Sequence, residues 1–327
     1  MARPPAFMMT FAEHGCAKVL VVGDAMLDRY WFGDVSRISP EAPVPVVRIE
    51  RSEQRLGGAA NVARNVNALG EQAIFLSVIG EDEDGSILSE LLARSSVEAS
   101  LHVDKELSTT TKLRVIGRHQ QLLRIDFEDE PSKSILDLKF RNYERLLPSC
   151  DVVVFSDYGK GCLTHVKAMI DMARKLKIPV LVDPKGTDYS RYRGSTVITP
   201  NRAELCEIIG PWLDENDLGR KANALRREME FDWLLLTRSE DGMSLFSAGE
   251  PVHEAAIARE VFDVSGAGDT VIATLAVMMA RGFAVGDAMR LANRAASVVV
   301  GKLGTATCSI DELRQALRAG GSSGLSC

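Results

Sequence analysis

The chain has 327 residues, of which 46% are apolar and 26% charged, and its formal net charge is −6. This composition is typical of an ordinary globular protein, and the absence of clustered lysine and arginine disfavours a nucleic-acid partner. Its six cysteines show no metal-ligand spacing, and the longest apolar run, Val271–Ala280, is too short to cross a bilayer. We therefore expect a cytoplasmic protein with reduced thiols and no membrane segment.

Short apolar, β-branched segments alternate with segments of helical periodicity along most of the chain. Strands are predicted at Val19–Val22, Ile74–Ile79, Val152–Phe155, Val180–Val182, Val197–Thr199 and Trp233–Leu236. Helices are predicted at Ala59–Leu69, Ile87–Arg94, His165–Leu176, Leu218–Met229, Thr270–Ala280 and Asp287–Val300. Continuous apolar strands separated by helices indicate an α/β protein with a parallel sheet covered on both faces.

Two segments, about 29–55 and 110–127, have no helical period and mix apolar with polar residues. We interpret them as a small β-sheet that leaves the main body and forms a lid. The whole chain, 1–327, is then a single domain, and its Gly/Ser-rich end, 320–327, is a flexible tail.

Polar residues follow several of the predicted strands closely. In an open α/β sheet, ligands bind outside the carboxyl ends of the strands. We therefore expect one crevice that collects the polar residues Asp24, Asp157, Asp183, Asn201 and Thr237.

The sharpest motif is Asp263–Thr270, DVSGAGDT, which leads directly into an apolar helix. Gly266, Ala267 and Gly268 offer bare backbone N–H groups at the start of that helix, where the helix dipole favours anions. Asp269 beside them fits phosphoryl transfer, in which an ionised aspartate takes the proton of the attacking hydroxyl. The alternative is a glycine-rich turn in which Asp269 only caps the helix.

A second motif, GGAANVARNVNALG, covers residues 57–70. Gly57 and Gly58 allow a ligand to approach the backbone, and Asn61 can both donate and accept hydrogen bonds. Close packing of helix against sheet, with no ligand, explains the same residues. The chain has neither GxxxxGK[ST] nor a GxGxxG after its first strand, which argues against a P-loop and against a dinucleotide fold.

Together the two motifs resemble those of the ribokinase-like carbohydrate kinases, a family that includes the minor phosphofructokinase. The resemblance runs from Val19 to about Gly304. It implies a ribokinase-like three-layer α/β/α fold with a mainly parallel central sheet and a small β lid. It also implies ATP and Mg²⁺ as cofactors, a possible monovalent cation near Asp263, and Asp269 as the catalytic base beside Gly266, Ala267 and Gly268.

Two further segments match family motifs in the expected order. Asn201-Arg-Ala-Glu204 looks like the element that organises Mg²⁺, through water, although Asn201 could instead cap a helix. The segment from Thr237 to Gly242 looks like a loop beside the nucleotide phosphates, except that Ser239 replaces a glycine. Asn293, on the last predicted helix, lies where kinases of this family line the adenine pocket. The alternative is that it is an ordinary helix residue.

Within the family, the heptose 7-phosphate kinases match more closely, at Gly23–Tyr30, Arg37–Val46, Gln120–Asp126, Ser156–Gly161 and Val182–Lys185. The resemblance implies transfer of phosphate to the anomeric hydroxyl of D-glycero-D-manno-heptose 7-phosphate, giving the 1,7-bisphosphate of lipopolysaccharide precursor synthesis. Related proteins often carry a second, nucleotidyltransferase domain after the kinase. The sequence leaves no room for such a domain, so we expect this chain to be the stand-alone kinase form.

The sugar phosphate would be held by hydroxyl-binding groups and by cations. Asp24 can accept from sugar hydroxyls, beside Gly57, Gly58 and Asn61. Lys160, Lys185 and, on the lid, Arg118 are candidate phosphate ligands, and the alternative for each is a solvated surface charge. Asp28 and Arg37 are candidates for holding the lid to the body.

Other functions remain open at this stage. The same fold could phosphorylate fructose 1-phosphate, ribose or a nucleoside, but an unphosphorylated substrate would not need the basic residues. A non-catalytic sugar-binding regulator would not need Asp269. A nicotinamide-dependent oxidoreductase would need a glycine motif that this chain lacks. Exposed lid strands also predict a homodimer that pairs through the lid.

Overall fold

The structure is a computed structural model that describes residues 15–118, 120–257 and 261–319. The predicted flexible tail at 320–327 lies outside the described residues. The strands are β1 (Lys18–Gly23), β2 (Ala25–Ile38), β3 (Pro45–Gly58), β4 (Gln72–Gly80), β5 (Glu98–Asp104), β6 (Thr111–Gly117), β7 (Gln120–Phe127), β8 (Val152–Ser156), β9 (Val180–Asp183), β10 (Val197–Ile198), β11 (Trp233–Thr237), β12 (Met243–Phe246) and β13 (Val252–Glu254). The helices are α1 (Ala59–Ala68), α2 (Glu83–Arg94), α3 (Lys133–Leu146), α4 (Val166–Lys175), α5 (Arg202–Ile209), α6 (Glu215–Glu228), α7 (Ala267–Ala280), α8 (Val285–Val299) and α9 (Ile310–Ala319).

The central sheet has nine strands in the order β13-β12-β11-β10-β9-β8-β1-β4-β5. The strands from β11 to β5 are parallel, and β12 and β13 add an antiparallel edge. Since β1 lies between β4 and β8, the chain first winds towards one edge and then towards the other. This reversal opens a crevice at the carboxyl ends of the strands.

Strand β1 shows why the sheet is buried on both sides. Val19 and Val21 face one hydrophobic core, and Leu20 and Val22 face the other. Helices α1, α2, α7, α8 and α9 cover the first face, and α3, α4, α5 and α6 cover the second. The predicted three-layer α/β/α architecture is therefore confirmed.

A second sheet leaves the body, with four strands in the order β3-β2-β6-β7. Its strands correspond to the predicted segments 29–55 and 110–127 but extend further into the body. Strand β2 begins at Ala25, directly after β1, and β3 ends at Gly58, where α1 begins. Every residue of β7 is exposed, whereas the residues of β6 alternate between buried and half-buried.

Several elements are not recognisable from the periodicity of the sequence, among them α3, α5, α9 and the edge strands β5, β12 and β13. Helix α3 illustrates the reason, because its inward face carries Lys139, which is completely buried and donates to the carbonyl oxygen of Cys162 at 2.5 Å. A charge on the apolar face hides the helical pattern. None of the described helices is long and apolar enough to cross a membrane.

Candidate active site

The carboxyl ends of β1, β8, β9, β10 and β11 meet at one edge of the central sheet, and of the five polar residues predicted to share a crevice there, all but Asp24 line it. A crevice of about 260 Å³ opens there, and we call it the catalytic crevice. Its lining residues are Asp157, Tyr158, Asp183, Pro184, Lys185, Thr199, Asn201, Glu204, Thr237, Gly268 and Val271.

Asp269 lies in the first turn of α7, and its side chain is buried. One carboxylate oxygen accepts from Asn61 Nδ2 at 2.8 Å, and the other accepts from the hydroxyl of Tyr158 at 2.7 Å. These two donors come from α1 and from the loop after β8. The carboxylate is therefore oriented by groups on two other elements and does not cap its own helix.

Burial raises the pKa of Asp269 to about 6, against the opposing effect of the hydrogen bonds from Asn61 and Tyr158. The helix dipole at the start of α7 also favours the ionised form. The carboxylate is still largely ionised at neutral pH, and a pKa near the working pH suits a general base.

The turn before α7 gives the catalytic motif its shape. Gly266 caps the helix with a φ of 77°, and a Cβ there would lie 2.8 Å from Asn61 Nδ2. Only glycine combines this left-handed conformation with such a close neighbour. The N–H of Ala267 turns back to the carbonyl of Val264 at 3.2 Å, whereas Gly268 lines the catalytic crevice.

The glycine pair at the end of β3 packs against acidic residues of the first strands. A Cβ on Gly57 would lie 2.6 Å from Asp28 Oδ2, and one on Gly58 would lie 2.8 Å from the carbonyl of Asp24. The following Asn61 is fully buried, and its Oδ1 has no partner among the described residues. A buried acceptor without a donor is the environment that a substrate hydroxyl would satisfy.

Asp24 is buried at the end of β1 and supports the loop that follows β8. Its carboxylate accepts from the backbone N–H groups of Tyr158, Lys160 and Cys162 at 2.8, 3.2 and 3.0 Å. Burial and then the nearby Asp157 raise its pKa. Asp24 thus positions Tyr158, which in turn contacts Asp269.

Each of the three predicted cations has a partner within the protein. Lys160 pairs with Glu128, and Lys185 Nζ lies 3.1 Å from Glu204 Oε1. Arg118 lies directly after β6, and its guanidinium donates to Val35 O at 2.5 Å. Of the three, only Lys185 lines the catalytic crevice.

Two cations on β6 were missed by the sequence analysis. Lys112 is half-buried, with its Nζ 5.6 Å from the centre of the Tyr158 ring, and it makes no ion pair within the described residues. Burial lowers its pKa. Arg114 donates to Asp28 Oδ1 at 2.6 Å. The alternation of β6 shows which side chains share a face, but only the structure places Lys112 beside Tyr158.

Asn201 and Glu204 form a reciprocal cap at the start of α5. Glu204 N donates to Asn201 Oδ1 at 3.0 Å, and Asn201 N donates to Glu204 Oε2 at 3.1 Å. Asn201 therefore caps a helix, which is one of the two roles that the sequence allows for it. Both residues also line the catalytic crevice. Close by, burial and then the charges of Asp269 and Glu204 raise the pKa of Asp183 well above its usual range.

The predicted nucleotide loop follows β11. Thr237 ends the strand and lines the catalytic crevice, whereas Ser239, Gly242 and Asn293 do not. Ser239 has a φ of 51°, so the residue that replaces a glycine keeps a conformation that glycine favours. Asn293 is buried on α8 and donates to the carbonyl of Ala255 at 2.8 Å.

A glycine turn at a helix start thus lies beside a buried carboxylate, at the switch point of the α/β sheet. A model of the pfkB family of carbohydrate kinases matches residues 17–312. The chain belongs to this family, whose members transfer phosphate to a sugar hydroxyl.

Curated relatives are similar over most of the chain. It is 56% identical over 297 residues to the D-beta-D-heptose 7-phosphate kinase of Bordetella bronchiseptica, covering 91% of this chain and 95% of that protein. It is 55% identical over 304 residues to the bifunctional protein HldE of Alkalilimnicola ehrlichii, covering 92% of this chain. The aligned part spans 64% of that longer relative.

Solved structures of low sequence identity share the fold. Arabidopsis thaliana ribokinase complexed with ribose and ATP matches with a TM-score of 0.75 and 20% identity, covering 93% of this chain and 99% of its own. Phosphofructokinase-2 from Escherichia coli, in complex with potassium, matches with a TM-score of 0.78 and 18% identity, covering 93% and 98%. The predicted ribokinase-like fold is therefore confirmed.

Proposed function

We propose that this chain transfers the γ-phosphoryl group of ATP to the anomeric hydroxyl of D-glycero-D-manno-heptose 7-phosphate. The product, the 1,7-bisphosphate, would serve ADP-heptose synthesis for the lipopolysaccharide core. The chemistry rests on one observation above all, the buried Asp269 held between Asn61 and Tyr158 at the start of α7. The choice of sugar rests on the 56% identity with the relative from B. bronchiseptica.

Asp269 is the proposed general base. It takes the proton of the anomeric hydroxyl while that oxygen bonds to the γ-phosphorus and the bond from the γ-phosphorus to the ADP oxygen breaks. Backbone N–H groups of Gly266 and Gly268 would stabilise charge on the moving phosphoryl group, whereas that of Ala267 would first have to leave the carbonyl of Val264. Asn61 and Tyr158 keep the carboxylate aimed at the acceptor.

The sugar phosphate would be held between the body and β6. The unpartnered Oδ1 of Asn61 is a proposed acceptor for a sugar hydroxyl, in the cradle made by Asp24, Gly57 and Gly58. For the phosphate we propose Lys112 above all, because it makes no ion pair within the described ranges and lies near Tyr158. Three further candidates would have to exchange an internal partner for phosphate: Arg118, Lys160 and Lys185.

The nucleotide side of the catalytic crevice fits a hydrated magnesium ion. Burial and then the charges of Asp269 and Glu204 raise the pKa of Asp183, and a cation there would offset the repulsion among the carboxylates. No group of three or more acidic, histidine or cysteine side chains in the described part of the chain could hold a metal. We therefore propose contact through water at Asn201 and Glu204, as magnesium keeps much of its hydration shell. When bound, magnesium would neutralise charge on the phosphates.

Further parts of the proposal concern the rest of the nucleotide site and a monovalent cation. Thr237, Ser239, Gly242 and Asn293 remain the proposed nucleotide contacts. A monovalent cation is proposed near Asp263, whose carboxylate accepts from Ser265 N at 2.8 Å and from Gly304 N at 2.9 Å and so joins two loops. Turnover in potassium compared with choline would test this.

The second sheet is the proposed lid and the proposed dimer interface. Closure over the sugar would exclude water, which would otherwise hydrolyse ATP. The outer strand β7 exposes Leu122, Leu123, Ile125 and Phe127, an apolar surface that a second copy would cover. We also propose a cytoplasmic location, where ATP and sugar phosphates are available.

The deciding experiment measures ADP release with Mg²⁺ and a panel of acceptors: heptose 7-phosphate, fructose 1-phosphate, fructose 6-phosphate, ribose and adenosine. Turnover confined to the heptose phosphate supports the full proposal. Turnover with another acceptor retains the kinase and rejects the sugar. Sugar binding without any turnover would favour a non-catalytic regulator.

A further inference from the structure

A second crevice, of about 490 Å³, lies outside the catalytic crevice, between β3, α1, α2 and the loop before α9. We call it the basic pocket. Four of its lining side chains are cationic, and no aspartate or glutamate is among the described residues that line it. The lining residues are Gln54, Arg55, Leu56, Arg64, Leu91, Arg94, Ser95, Lys302, Leu303, Thr305, Ala306 and Thr307.

Three of the four cations have acidic partners. Arg55 bonds Glu53 at 2.6 Å, Arg94 bonds Glu90 at 3.2 Å, and Lys302 bonds Glu312 at 2.6 Å. Since Glu53 also pairs with Arg51, these carboxylates do not neutralise the basic pocket, and the fourth cation leaves it positively charged.

That fourth cation is Arg64. It is half-buried, and within the described residues it makes no ion pair; its one hydrogen bond there goes to the carbonyl of Thr305 at 3.3 Å. Burial, followed by repulsion from Arg55, lowers its pKa. A half-buried guanidinium beside a second guanidinium is unfavourable unless an anion neutralises them.

Thr305 gives an independent sign of a missing ligand. It lines the basic pocket with only 7% of its surface exposed, and its hydroxyl has no hydrogen-bond partner within the described ranges. A buried hydroxyl without a partner is costly, and an anion held by the neighbouring guanidiniums would accept a hydrogen bond from it.

We propose that the basic pocket is a second ligand site, which binds a phosphate-bearing anion through Arg55, Arg64 and the Thr305 hydroxyl. Its volume falls in the range of small-molecule sites, so it admits a free phosphate or the phosphate of a sugar or nucleotide. Arginine suits this ligand because its planar group offers paired donors to phosphate oxygens.

The basic pocket adjoins the catalytic motif. The side chain of Thr305 lies 3.5 Å from the place of a Cβ on Gly266. Arg64 lies one turn after Asn61 on α1, and Arg55 donates to the carbonyl of Leu303 at 2.7 Å. An anion there would join the base of the second sheet to the wall of the active site.

The test is the thermal stabilisation of the nucleotide-free and sugar-free protein by inorganic phosphate, at constant ionic strength set with chloride. We expect a saturable rise of the unfolding temperature, with the apparent Kd for phosphate at least tenfold weaker in Arg64→Gln. The control variant Arg220→Gln, on α6 far along the chain, should behave as the parent does. Arg64→Lys should recover part of the effect, because it keeps the charge.

Phosphate binding at the proposed sugar-phosphate site is distinguished by Lys112→Gln. The proposal requires stabilisation that survives in Lys112→Gln and is lost in Arg64→Gln. The reverse pattern, equal loss in both variants, or no stabilisation of the parent protein would overturn it. Repeating the titration with ATP and with a sugar bisphosphate, in Lys112→Gln and in a double variant that also carries Arg64→Gln, then identifies the source of the phosphate group, because binding in the basic pocket is weakened only in the double variant. These outcomes do not depend on turnover, so they are independent of the proposed kinase reaction.

Discussion

The body and the second sheet of this protein differ in how deeply their strands are buried. In the body, the strands carry apolar residues on both faces, and β8 is completely buried from Val152 to Ser156. In the second sheet, β7 is completely exposed and β6 alternates. The body can therefore hold the reacting groups in fixed positions, while the second sheet offers a surface that still lacks a partner on one side. We expect mutations in the two regions to separate chemistry from binding.

The largest effect is expected for the base in the body. Asp269→Asn removes the proton acceptor but keeps the shape and size of the side chain. We expect kcat to fall by about 10²–10⁴-fold, the usual contribution of a general base, with nucleotide affinity nearly unchanged by calorimetry. Asp287→Asn, in the first turn of α8, is the matched control and should keep full activity. Substantial turnover by Asp269→Asn would reject the assigned role.

A smaller and different effect is expected for the second sheet. Lys112→Gln removes a cation that has no ion-pair partner within the described residues, so we expect the KM for the sugar phosphate to rise roughly 10- to 100-fold. The fall in kcat should be much smaller, because Lys112 takes no proton in the reaction. Lys105→Gln, an exposed lysine 3.8 Å from Glu81, serves as the control. A variant with an unchanged KM would move the phosphate site elsewhere.

The protonation of Asp269 sets the pH dependence. Its folded-state pKa of about 6 lies above that of a free aspartate, so the base is lost as the pH falls through 6. We expect kcat/KM to rise with pH and to level off above about 7. Tyr158→Phe removes a hydrogen bond that stabilises the ionised form, so the midpoint should move to higher pH. Tyr143→Phe, whose hydroxyl bonds Met169 O instead, should leave the midpoint in place.

The smallest effect on catalysis is expected at the outer face of the second sheet. Leu123→Lys places a charge on the exposed apolar strand β7, where Leu123 has 53% of its surface exposed. If two copies pair there, sedimentation at micromolar concentration should change from dimer to monomer. Leu138→Lys on α3, at 50% exposure, is the matched control. A parent protein that sediments as a monomer would remove the proposed dimer.

Much of the fold could be predicted because each strand of the body is recognisable from a short run of consecutive apolar residues. The segment Val152–Phe155 is apolar at every position, which is typical of a strand buried on both faces, and the structure has β8 there. The position of the catalytic crevice could also be predicted, since the carboxyl ends of parallel strands share one edge. Asp269 was recognisable because its neighbours along the chain are the glycines that its chemistry uses.

The partners of the charged residues could not be predicted, because they come from distant parts of the chain. Lys160 pairs with Glu128, 32 residues away, and Tyr158 reaches Asp269, 111 residues away. Neither spacing is visible as a local pattern. Lys112 was overlooked for the same reason, since its exposure to the site depends on how the second sheet twists over the body.

The continuity of β2 and β3 has a mechanical consequence. Each strand has 14 residues, so the ribbon is about 46 Å long at a rise of about 3.3 Å per residue. It starts beside the catalytic crevice and ends at the tip of the second sheet, with no loop between the two. Any closing movement must therefore bend or twist this two-stranded ribbon. It would deform most easily between Phe32 and Gly33, where the pairing of β2 with β3 shifts register. The stiffness of the ribbon, rather than the flexibility of a hinge loop, would then set the rate at which the site opens.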